Sequence, residues 1–127
     1  MKFARWVFLL AGIYGLLVLL PMYFTAEQFG EQNPPVVTHR EFYYGFVGVA
    51  VAFQVLFLLI AREPLRLRPA IIPSILEKLS FGIPVLILNA RGEAPLSMTA
   101  GGAIDLVLAV LFTVAYVRLG REVTATK

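Results

Sequence analysis

The sequence predicts an all-α, polytopic membrane protein, a single antiparallel bundle of four transmembrane helices. Three observations carry this. Four apolar runs follow one another along 127 residues, and each approaches the roughly 20 residues that cross a hydrocarbon core about 30 Å thick. Charged residues are 15% of the chain and mean hydropathy is +0.81, whereas soluble domains carry about a quarter of their residues as charges. The remaining charges gather mostly at the ends of the runs. In lipid a helix pairs its backbone groups within one segment, so each run reads as a helix.

The first span covers residues 3–24, interrupted only by Arg5 near its start. It resembles a signal peptide in its basic "MKFAR" opening, but its apolar part is long and no good A-x-A site follows, so an uncleaved anchor is expected. Pro21 should end or kink this helix. An outer loop, residues 25–41, follows; its Pro34-Pro35 pair predicts an ordered, non-helical cap over the bundle mouth. The second span covers residues 42–61. A short basic turn, "AREPLRLRP" at 61–69, leads to the third span, 70–90. The turn "RGEAPLS" at 91–97 leads to the fourth, 98–117. Short turns make antiparallel neighbours, so spans two, three and four should pack consecutively.

Basic residues give the direction. With the N-terminus inside, Lys2, Arg5, Arg62, Arg66, Arg68, Arg118, Arg121 and Lys127 collect on the inner side, and Arg40 and Arg91 outside. That asymmetry predicts cytoplasmic termini. No Lys/Arg stripe interleaves with aromatics, which argues against a nucleic-acid partner. The chain has no cysteine and one histidine, His39. Disulfides, dithiol relays and a bis-histidine haem within one chain are excluded, and no metal site is expected.

Several polar residues lie within or beside the spans. Pro73, Glu77, Ser80 and Pro84 share one helical face of the third span, predicted to face protein because an acid in hydrocarbon costs several kcal/mol. Lys78 points about 100° away; it could form a structural pair with Glu77, or its stem could snorkel to the inner surface. Glu77 and Gln54 each lie seven residues from the inner ends of adjacent spans, about 10 Å deep, so a hydrogen bond between them is reasonable. Alternatively, Gln54 is interhelical glue. Asp105 lies about 10 Å below the outer surface, on a face with Gly101, Ala109, Phe112 and Tyr116. With no base near it on its own helix, it must be neutral, paired across helices, or functional. Tyr14, mid-span, could donate to either acid. Glu41, with His39 and Arg40, forms a third polar group at the outer mouth. Tyr23, Tyr43, Tyr44 and Trp6 read as interfacial belt residues, and Gly45, Gly48 and Ala52 as a close-packing face.

The order of Pro21, "REFYYGFVG" at 40–48, the basic turn at 61–69 and Asp105 resembles the DoxX-like family of small four-helix bacterial membrane proteins. The resemblance implies a helical bundle in the bacterial inner membrane, often an accessory subunit of an oxidoreductase, and supplies no catalytic residues. The favoured expectation is a binding or accessory protein whose polar core holds a lipophile or supports a partner subunit. Candidate ligand-binding or proton-active residues are Glu77, Asp105, Gln54, Tyr14 and Glu41. No cofactor is required, although a quinone or other lipophile would suit such a core. Membrane lipid, a partner subunit or a second copy are the expected partners. A proton-coupled transporter with Glu77 and Asp105 as carriers at different depths is one alternative. An enzyme using a buried acid on a lipid-like substrate is the other; the missing catalytic set favours binding.

Overall fold

The computed structural model describes residues 1–125; Lys127, counted among the inner basic residues, lies outside them. The chain forms helices α1 (Lys2–Leu19), α2 (Ala26–Gln32), α3 (Arg40–Arg62), α4 (Ile71–Ala90) and α5 (Leu96–Ala125). Tighter 3₁₀ turns occupy Leu20–Phe24, after α1, and Arg68–Ala70, before α4. Four helical segments, Lys2–Phe24, Arg40–Arg62, Arg68–Ala90 and Leu96–Ala125, are long and apolar enough to cross a membrane. The protein is a four-helix membrane bundle with both ends of the described chain together. The Met1 amino group sits 2.7 Å from Glu122 Oε1, and the Arg118 guanidinium lies 4.9 Å from the Phe3 ring centroid.

Local sequence explains the element boundaries. Pro21, lacking an N–H, converts the end of the first span into the 3₁₀ turn. Pro73 is tolerated as the third residue of α4, where a helix has no intrahelical acceptor for N–H groups. The far end of α4 closes in a Schellman motif. Glu93 N–H bonds to Leu88 O at 2.8 Å and Gly92 N–H to Asn89 O at 2.9 Å, with Gly92 at φ 74°; a residue without Cβ reaches that conformation cheaply. α5 runs 30 residues, about 45 Å, well past the predicted end at 117.

The expected non-helical cap is corrected. Residues Ala26–Gln32, "AEQFGEQ", form the short helix α2, because helix-compatible residues precede the proline pair, and Pro34 disfavours helix at Asn33. Only the remainder of the loop to His39 is irregular.

Packing follows glycine. α1 lies against α3, where a methyl on Gly15 would overlap the Gln54 side chain. α4 lies against α5, where a Cβ on Gly82 would come 2.9 Å from Gly102 O. Such small residues let helix backbones approach closely. Phe8, Phe57 and Phe112, all at 0% exposure, interlock three helices: Phe8 stacks on Phe112 at 4.3 Å, and Phe57 meets Phe112 edge-on at 5.0 Å. At the same end, Arg68 Nε donates to Tyr116 O at 2.9 Å, and its guanidinium covers the Tyr116 ring.

The expectation that spans two, three and four pack consecutively holds only for the last pair. α3 meets α1 closely and α4 meets α5 closely, while α3 and α4 barely touch. No glycine brings them together; instead Phe46 and Phe81 face one another with ring centroids 5.8 Å apart. The small face Gly45, Gly48 and Ala52 is a contact at Gly48 alone: a Cβ there would come 3.2 Å from Tyr23 Oη, whereas Gly45 and Ala52 are exposed, and a Cβ on Gly45 would meet nothing within 4 Å.

Candidate functional site

Above the aromatic core the bundle opens into a cavity of about 300 Å³ reached by all five helices. Its walls are apolar, including Val18, Met22, Phe29, Phe81 and Met98. Gln54, Glu77, Lys78 and Asp105 supply charged and amide groups at one end, while Gln32, Asn33 and Ser97 supply polar groups near α2. α2 covers that mouth. Ser97 Oγ donates to Asn33 Oδ1 at 2.7 Å, tying the segment to α5, and Tyr43 Oη donates to Met22 O at 2.7 Å.

The charged group is built around Lys78. Its Nζ donates to Asp105 Oδ1 at 3.3 Å and lies 3.5 Å from Glu77 Oε2. It also stands 5.2 Å from the Phe57 ring centroid, so the aromatic core directly supports the polar floor. Lys78 is 5% exposed, with Glu77 and Asp105 side chains each at 16%. Of the two readings of Lys78, the pair with Glu77 holds and snorkelling is corrected: Lys78 turns inward. An outward lysine would leave two carboxylates unpaired in an apolar interior, the costlier arrangement.

The rotation of α4 is corrected with it. Its buried face is Ile71, Ser74, Lys78, Gly82 and Val85, while Pro73, Ser80 and Pro84 are exposed. Glu77 sits at the margin of the buried face. Asp105 points inward as expected, on the face holding buried Ala109 and Phe112. Glu77 and Asp105 were expected at different depths, yet both meet the same ammonium. α5 begins at Leu96, which puts Asp105 about 14 Å along it, and the flexible lysine stem spans the remaining offset.

The other candidates separate. Gln54 lines the cavity with Glu77 but does not bond to it. Gln54 Nε2 donates to Ala50 O of its own helix at 2.9 Å, and Oε1, packed against Gly15, accepts no hydrogen bond. Tyr14 also lines the cavity and is 41% exposed; among the described residues its hydroxyl makes no hydrogen bond to either acid. Glu41 lies outside, exposed, 3.1 Å from His39 Nδ1. The contact of Lys78 with Asp105 and the Asn33–Ser97 tie were the functional elements missed. The available signal for Lys78 was arithmetic, since one base and two acids lay within neighbouring antiparallel spans.

Comparison with family models, with curated proteins and with solved structures found no match in any of the three.

Proposed function

We propose that the protein is a membrane binding or accessory protein, and that its cavity holds an amphiphile whose head group donates hydrogen bonds. One observation carries this reading: apolar walls lead to a floor where two carboxylates share one ammonium. Such a floor is rich in acceptors and carries an excess negative charge with both acids ionised. A hydroxyl or amine head complements it; a carboxylate or phosphate head is repelled. Ligand sites combine apolar walls with a few placed polar groups in this way. A quinone carries acceptors alone and suits the floor less well than a quinol.

The distribution of basic residues supports cytoplasmic termini. Arg62, Arg66 and Arg68 cluster on the α3–α4 turn, at the end shared with Lys2, Arg5, Arg118 and Arg121. The feature order that resembles the DoxX-like family supports the bacterial inner membrane as its location, and an accessory role to a partner subunit.

Native mass spectrometry from a gentle detergent tests the proposal. Wild-type protein is expected to carry a co-purifying amphiphile. The neutralised triple variant Glu77→Gln/Lys78→Met/Asp105→Asn is expected to lose it while staying folded. A wild-type protein that carries no amphiphile, or a folded triple variant that retains it equally, would overturn the reading.

A further inference from the structure

Between α3 and α4 runs a groove of about 430 Å³. It is lined by Gly45, Val49 and Ser80, and by four residues that also line the cavity: Phe46, Ala50, Glu77 and Phe81. We propose that this groove is the cavity's lateral subsite, holding the apolar tail of a single-chain amphiphile that enters from the bilayer between α3 and α4. The inference rests on the amphiphile reading above and adds a second site and a route to it.

Four observations converge. Glu77 belongs to both spaces, so a head bound at the acidic floor leaves its tail at the groove. The helices flanking the groove are those that meet least closely in the ring. Phe46 and Phe81, whose ring centroids lie 5.8 Å apart, line both groove and cavity, with Phe46 41% exposed. Partly exposed side chains change rotamer without backbone movement, on fast timescales. Val49 on the groove's lip is 61% exposed on a membrane-spanning helix, where its neighbour is hydrocarbon, and the exposed Ser80 donates its hydroxyl to Glu77 O at 2.9 Å.

The other way in is obstructed. α2 covers the mouth and is fastened by the Ser97–Asn33 bond and by the Arg40–Glu27 contact at 3.4 Å. A lipophile dissolved in the bilayer also has no need to cross the aqueous interface to reach a groove that opens within a span.

The chain contains no cysteine, so paired thiols can be placed without a background. In nanodiscs, association of radiolabelled dodecylamine is followed with Phe46→Cys/Phe81→Cys before and after bridging by a short, reducible bis-thiosulfonate linker. Bridging is expected to slow association by about tenfold or more, and reduction to restore it. Bridging Asn33→Cys/Ser97→Cys across the mouth is expected to leave the rate within about twofold. Gly45→Phe, placed where a side chain meets open space, should slow association without any linker. An unchanged rate on bridging α3 to α4, or slowing only on bridging the mouth, overturns the lateral route and leaves the cavity reading intact. Absence of dodecylamine binding in every unbridged form overturns both. Efficient Gly45→Cys disulfide formation between copies would show the groove covered by a second chain, and overturns the tail subsite.

Discussion

At the scale of single residues, Lys78 decides how the interior is organised. One ammonium is shared between a carboxylate from its own helix and another from α5, so removing it leaves two negative charges inside with no counter-charge. Lys78→Met should destabilise the protein by about 3–5 kcal/mol, because it leaves two acids side by side. Adding Glu77→Gln and Asp105→Asn should recover most of that loss, since a neutralised site carries no unpaired charge. Denaturant titration in mixed micelles checks both; a Lys78→Met variant as stable as wild type would refute the pairing. Gln54 behaves differently. Its amide bonds only to its own helix, so Gln54→Met should change stability by less than about 1 kcal/mol, as expected when no interhelical hydrogen bond is lost. A much larger loss in the same titration would restore the interhelical role expected from the sequence.

At the scale of elements, close approach at glycine explains which helices pair and which stand apart. Gly82→Val should wedge α4 from α5 and cost about 1–3 kcal/mol. Gly45→Val, facing open space, should stay within about 0.5 kcal/mol of wild type. Equal effects in parallel unfolding measurements would contradict the packing. The four spans were legible because apolar runs of this length have few other structures open to them, and their boundaries follow Pro21, the prolines at 64 and 69, and the turn at Gly92. Two element-scale features were not legible. α2 is seven residues long, too short to show a hydrophobic period. The rotation of α4 was misread because its polar residues fall on two faces, and weighing the Glu77 face alone overlooked the stronger demand of two acids for one base. Asp105 was read correctly, since the glycine and alanine beside it mark a face that meets another helix. Its partner, Lys78, lies 27 residues away, so no local spacing links them, and only the count of one base against two acids in neighbouring spans points to it.

At the scale of the whole molecule, the bundle divides along its axis. One half is solid, closed by Phe8, Phe57 and Phe112; the other is hollow, with the charged group between them. The terminal end carries most of the basic residues, and the end covered by α2 carries Arg40 and Arg91. A fluorescent protein fused after the C-terminus should therefore fluoresce from the cytoplasm, while an alkaline phosphatase fused there should be inactive; an active phosphatase would reverse the orientation. The central claim is that an acceptor-rich floor beneath apolar walls selects the head group of an amphiphile. Its most direct test is native mass spectrometry of the intact protein with equimolar dodecylamine and dodecanoate, two probes alike in tail and opposite in head charge. The amine should be bound in preference by about tenfold or more, equivalent to about 1.4 kcal/mol, with that preference lost in Glu77→Gln/Lys78→Met/Asp105→Asn. Equal occupancy of the two probes, or a preference for the carboxylate, would contradict the account.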